Sequence, residues 1–137
     1  MAANTRFSTG VHALVLLALQ PETLQTSETI AGKLGTNPVV IRRVFALLQQ
    51  AELVVSHKGP SGGTQLTRSA REITLKEIHR ALEPGPLFHA VSIKGMAGEA
   101  VTKELARAFK RAEAGLLEGL AETTLHSVAK RAARRKA

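Results

Sequence analysis

The stretch SETIAGKLGTNPVVIRRVFALLQQ, residues 27–50, constrains the fold more than any other part of the chain. Ile30, Ala31 and Leu34 recur at helical spacing, and Gly35 stands where a left-handed residue would close a short helix. Ser27 is expected to cap that helix, with Glu28 favourably placed in its first turn. Asn37 then offers a second N-cap. Pro38 falls at the first helical position, where its missing N–H costs nothing. Ile41, Val44, Phe45, Leu47 and Leu48 would line the core side of a helix over about 38–51. Only Gly35, Thr36 and Asn37 lie between the two helices. Two helices joined by so short a glycine-containing turn have the spacing of a helix-turn-helix.

The flanking segments fit that reading. Phe7, Val11, Leu14, Val15 and Ala18 predict a first helix over about 5–20, ended by Pro21. Its run Val11 to Leu19 is too short to cross a bilayer, which takes roughly 20 apolar residues. Gln20-Pro21-Glu22 follows it, with no small-residue cleavage site, so a buried helix in a cytoplasmic protein is expected, with no membrane partner. Leu53-Val54-Val55 reads as a short strand and Thr64-Gln65-Leu66 as a returning one. Between them lies the glycine-rich SHKGPSGGTQLT, Ser56 to Thr67. A nucleotide-binding P-loop needs a lysine after its last glycine, between a strand and a helix. Here Gly63 is followed by Thr64, Lys58 precedes the glycines, and the order is strand–loop–strand. Thr74-Leu75-Lys76-Glu77 is a capping-box pattern opening a fourth helix with Leu75, Ile78 and Leu82 inward. Pro84-Gly85-Pro86 ends it.

The longest helical pattern covers residues about 97–122 and would run roughly 36–39 Å. Val101, Leu105, Phe109, Leu116 and Leu120 are its apolar positions. Ala108, Ala112, Gly115 and Gly119 form a small-residue face beside them. Each glycine costs about 1 kcal/mol against alanine inside a helix. That cost is easier to understand if a second helix approaches closely, so a dimer helix is expected. Thr124 is placed to cap a last helix through Leu125, Val128 and Ala132.

Composition narrows the function. The chain has no cysteine, which excludes disulfides, thiolate catalysis, thiol redox sensing and cysteine-ligated metal. All eleven acids are glutamate. The five histidines are scattered, and Glu122 with His126 lacks a third ligand. The chain is therefore read as not an enzyme, with no metal and no cofactor. The net charge is +8, and it is uneven. Residues 1–83 carry +3, residues 84–129 carry zero, and the tail KRAARRKA carries +5. Within residues 29–71 six bases (Lys33, Arg42, Arg43, Lys58, Arg68, Arg71) face one acid, Glu52. Positive charge thus gathers on the helix-turn-helix and the hairpin, the footprint expected of a DNA-binding surface.

RFSTGVHALVLLAL, then TSETIAGKLGTNPVVIRRVFALLQQAELV, then KGPSGGTQLT together resemble the Rrf-type winged-helix transcriptional regulators. That family includes the iron–sulfur cluster regulator, the nitric-oxide-sensitive repressor and the cysteine-metabolism repressor. The resemblance covers residues 4–128 and is strongest over 4–83. It implies a mainly α fold: a winged helix-turn-helix with a small β-hairpin wing, plus a long C-terminal dimerisation helix. The expected organisation is a winged-helix DNA-binding domain over 1–83, a connector over 84–96, the dimerisation helix with a terminal helix over 97–128, and a basic tail over 129–137. The implied function is a homodimeric repressor on a near-palindromic operator in double-stranded DNA. Carried over by position, the groove candidates are Thr36, Asn37, Val39, Val40, Arg42 and Arg43. The wing candidates are His57, Lys58, Ser61, Gly62, Gly63 and Thr64. The dimer candidates are Val101, Leu105, Ala108, Phe109, Ala112, Gly115, Leu116, Gly119 and Leu120.

Two departures matter. Metal-sensing members carry three cysteines in the connector. The matching EPGPLFHAVSIKGMAG has none and a single histidine, His89, so the chain resembles a cysteine-free branch and its signal would be non-thiol. An unidentified small-molecule effector near Leu87–Met96 is the expectation. In the wing, Thr64 and Gln65 stand where many members place an aromatic. Adjacent arginines point about 100° apart, so one of Arg42 and Arg43 is expected on bases and the other on phosphate. The rival class is a protein-interaction module that uses the same winged helix and binds DNA weakly.

Overall fold

The computed structural model describes residues 5–88 and 93–135. Helix α1 (Arg6–Leu19) is followed by α2 (Ser27–Leu34) and α3 (Pro38–Gln50). A hairpin of β1 (Val54–His57) and β2 (Gly63–Leu66) comes next, then a single 3-10 turn (Ala70–Glu72), α4 (Leu75–Leu82), α5 (Met96–Ala121) and α6 (Leu125–Arg134). The strands pair antiparallel, with Val54 opposite Leu66 and His57 opposite Gly63. Helix-turn-helix followed by a two-stranded wing is the mainly helical architecture that the sequence predicts.

Local signals explain most boundaries. Gly35 closes α2 at φ 66°, a left-handed conformation that glycine adopts without steric cost. Asn37 caps α3, its Oδ1 accepting from the Val39 N–H at 2.9 Å. Both halves of the Thr74–Glu77 capping box form at the start of α4. The cap of α2 is Thr26, not Ser27: its hydroxyl accepts from the Thr29 N–H at 3.1 Å, and Ser27 is the first helical residue. At the end of α3 the Leu53 N–H reaches back to the Leu48 carbonyl and the Glu52 N–H to the Gln49 carbonyl, both at 2.9 Å. That is a Schellman closure with glutamate, not glycine, in the left-handed position at φ 60°.

One core joins the elements. Leu14 and Leu17 of α1, Ile30 of α2, Ile41, Val44 and Leu48 of α3, Leu53, Val54, Ile73, and Ile78 and Leu82 of α4 are all essentially sealed from solvent. Leu125 of α6 is in the same cluster, at zero exposure. Its N–H donates to the Ile73 carbonyl at 2.8 Å, and α6 lies along α1 and the 3-10 turn. The terminal helix therefore packs into the winged-helix core. It runs to Arg134, through most of the stretch expected as a tail from residue 129, because Ala129 is buried against the core. In contrast, α5 has no buried residue among those whose burial is described, 97–121. It meets the rest of the chain chiefly through α4.

Candidate nucleic-acid interface

The buried strip of α3 is Ile41, Val44, Phe45 and Leu48. At 100° per residue, Val39 and Arg43 fall opposite that strip, with Arg42 on one flank and Val40 on the other. All four side chains are exposed, and Val39 and Val40 remain 44% and 39% accessible although apolar. Thr36 is half-buried, and its N–H is used to close α2 through the Ala31 carbonyl at 3.0 Å. Asn37 is exposed while its side chain caps α3. An open pocket beside this turn is lined by Thr9, His12, Leu34 and Thr36. The apolar period of α1 points only to a core role. The exposed, polar His12 in an apolar run was the signal that α1 also shows a face beside the turn.

The hairpin tip is built on steric need. Gly59-Pro60-Ser61-Gly62 makes a turn closed by the Gly62 N–H on the Gly59 carbonyl at 2.9 Å. A Cβ at Gly62 would lie 2.1 Å from the His57 carbonyl oxygen. A Cβ at Gly63 would lie 2.8 Å from the backbone nitrogen of Gln25. Both glycines thus serve chain approach within the protein. Thr64, which the sequence places among the wing contacts, is only 5% exposed, its side chain turned to the protein's own chain. Its backbone bridges Gln25, and its hydroxyl meets that of Ser56 at 3.1 Å. Of the expected wing contacts, His57, Lys58 and Ser61 are exposed, as are Ser56, Gly59 and Pro60 beside them. The His57 ring lies 3.3 Å from the Gln65 side-chain nitrogen across the strands.

The tertiary fold sorts the basic residues. Lys33 donates to the buried Gln25 at 3.2 Å, and Gln25 in turn donates to the Leu16 carbonyl at 2.9 Å. Arg68 pairs with Glu77 and also donates to the Glu72 carbonyl. Arg42 pairs with Glu28 at 2.5 Å across the helix-turn-helix. The Arg42 hydrogen bond holds the Glu28 carboxyl below its ordinary range. Glu28 stands one residue outside the 29–71 stretch in which bases outnumber acids, so local charge counting passes over it. Among the described residues, the side chains of Arg43, Lys58 and Arg71 have no hydrogen-bond or ion-pair partner.

The expected dimer residues share one face of α5. Val101, Leu105 and Leu116 are 58%, 43% and 43% exposed, and among the described residues a Cβ at Gly115 or Gly119 would meet nothing within 4 Å beyond its own stretch of helix. Phe109, on the edge of that face, stacks on Phe88 of the connector with ring centroids 4.9 Å apart. The effector region expected near Leu87–Met96 lies in part outside the described residues, and His89 lies wholly outside them.

A family model described as Rrf2, iron-dependent transcriptional regulator, matches residues 3–131. YwnA of Bacillus subtilis (strain 168), named as an HTH-type transcriptional regulator, is 30% identical over 91% of this chain and 95% of its own length. A solved IscR from T. potens superposes with a TM-score of 0.69 at 25% identity, over 96% of this chain and 88% of that one. CymR, the global cysteine regulator of B. subtilis, shares the fold with a TM-score of 0.70 at 23% identity, over 96% and 98% of the two chains. Among the described residues the donors do not fit the iron of the family description. There is no thiolate to ligate a cluster, and among the described residues no three histidine or glutamate side chains converge as a metal site.

Proposed function

The chain belongs to the Rrf2 family of transcriptional regulators, and on that premise we propose that it is a sequence-specific DNA-binding repressor acting as a homodimer. The observation that carries the reading is the exposed start of α3. It combines two arginines with two unburied valines, directly after a turn whose caps hold the helix end rigid. In helix-turn-helix proteins the N-terminal residues of the second helix reach base edges in the major groove. Arginine grips guanine there, and valine packs against the thymine methyl group.

Lys58 at the wing tip supplies a phosphate contact with no competing acid beside it. Thr36, with Thr9 and His12 around the adjoining pocket, supplies hydroxyl and imidazole donors for another. The bare apolar face of α5 supports pairing with a second copy of itself. Two domains held this way would place two α3 helices on the half-sites of a near-palindromic operator. Repression then follows from occupying promoter DNA. No iron–sulfur chemistry enters this mechanism, and its signal is a non-thiol one, such as a small-molecule effector. Among the described residues no helix is long and apolar enough to cross a membrane.

The test is a gel shift with labelled duplex from upstream of the chain's own gene against unrelated duplex. Selective binding that weakens in Arg42→Ala and Arg43→Ala is expected. Equal binding to every duplex, unaffected by those substitutions, overturns the reading.

A further inference from the structure

We propose that Glu28 is a positioning residue that reserves Arg42 for a guanine edge and leaves phosphate contact to Arg43. The inference rests on the DNA-binding reading above and deepens it. Glu28 sits in the first turn of α2, and its Oε1 lies 2.5 Å from one terminal nitrogen of Arg42, 14 residues along the chain. Both side chains remain more than half exposed. The pair is therefore held at the surface of the helix-turn-helix and not sealed in the core. Arg43, about 100° further round α3, has no such partner among the described residues.

The chemistry of the two arginines differs accordingly. A guanidinium carries five N–H donors, so one contact to Glu28 leaves an edge free for a second, bidentate acceptor. A phosphate approaching Arg42 would meet a cation already neutralised and a carboxylate within hydrogen-bond distance of it. Like-charge repulsion with Glu28 opposes that approach. The O6 and N7 atoms of guanine are neutral acceptors with the spacing of the fork, and they meet no such repulsion. Glu28 also limits the rotamers of Arg42 before DNA arrives, which lowers the ordering cost of a base contact. Arg43 keeps its full charge and its freedom, the properties that suit a phosphate contact.

The experiment is selection from a random duplex pool by the purified full chain, then titration at several salt concentrations. In duplexes built on the recovered motif, 7-deazaguanine replaces the selected guanine. Wild type is expected to lose about 10-fold in affinity on that replacement. Arg42→Ala is expected to be indifferent to it, with an unchanged salt slope. Arg43→Ala is expected to retain the guanine penalty and lose about 0.9 from the slope of log K against log salt. Glu28→Gln is expected to lose most of the guanine penalty and to steepen the slope by about 0.9, as Arg42 turns to phosphate.

The inference is overturned if Glu28→Gln leaves penalty and slope at wild-type values. It is equally overturned if that variant binds every duplex more tightly with the guanine penalty intact, because Glu28 is then only a brake. Loss of the penalty in Arg43→Ala and not in Arg42→Ala also overturns it. A wild-type chain that recovers no common motif fails earlier, and takes the regulator reading down with it.

Discussion

The backbones of Gln25 and Thr64 exchange two hydrogen bonds, the Gln25 N–H donating to the Thr64 carbonyl at 3.1 Å and the Thr64 N–H to the Gln25 carbonyl at 2.9 Å. This bridge fastens the wing to the segment that leads into α2. Its closeness is permitted by Gly63, where a Cβ would meet the Leu24–Gln25 backbone at 2.8–3.0 Å. Backbone on the far side cannot rotate away as a flexible side chain can. Gly63→Ala is therefore expected to cost about 1–3 kcal/mol, in the range of overpacking a tight site. Urea unfolding followed by circular dichroism checks this, since the chain has no Trp or Tyr. Wild-type stability in the variant would show that the wing is not fastened there.

Leu125 ties α6 to the core with no side-chain exposure. Leu125→Ala is expected to cost about 2–5 kcal/mol, the usual range for truncating a sealed leucine. Denaturant titration gives the value. If α6 were a dispensable arm, the substitution would leave the unfolding midpoint in place.

The apolar face of α5 is outside the core of a single chain, so charge placed on it should separate copies without unfolding them. Leu105→Glu combined with Leu116→Glu is expected to convert a dimer to a folded monomer, read by sedimentation velocity alongside the helical circular dichroism signal. A wild-type chain that already sediments as a monomer at micromolar concentration contradicts the role given to this face.

The Glu28 carboxyl titrates below the ordinary glutamate range because Arg42 donates to its charged form. A depressed acid contributes stability that is present above its unfolded-state pKa and is lost as pH falls through the lowered folded value. The Glu28–Arg42 link is therefore expected to persist at neutral pH and to open only in acid. Side-chain carboxyl NMR titration should place the Glu28 midpoint lower in wild type than in Arg42→Ala. Coincident midpoints would mean that the pair does not form in solution.

Much of the fold was legible in the sequence because its signals act within one or two helical turns. Asn37 before Pro38, Gly35 after Leu34, and Thr74 three residues before Glu77 each satisfy backbone groups close by in the chain. Those positions set where the helices start and stop. The period of Ile41, Val44, Phe45 and Leu48 set which side of α3 is inward and, by subtraction, which side carries Val39 and Arg43. Even the misplaced cap, Thr26 in place of Ser27, is an error of one residue between two neighbouring hydroxyls.

The tertiary structure decided what depends on partners distant in sequence. Thr64 looked available in a glycine-rich loop, yet the Gln25 backbone covers it from 39 residues away. Arg42 and Arg43 are indistinguishable as neighbours in a string, but only Arg42 meets Glu28, 14 positions earlier. Leu125 follows the expected dimer helix in the string, and Ile73 and α1 close over it. Local propensity specifies a segment's conformation through bonds to its own near neighbours. Burial, ion pairing and the freedom of a charge are set by what the whole chain brings within a few ångströms, and that is known only once the chain has closed on itself.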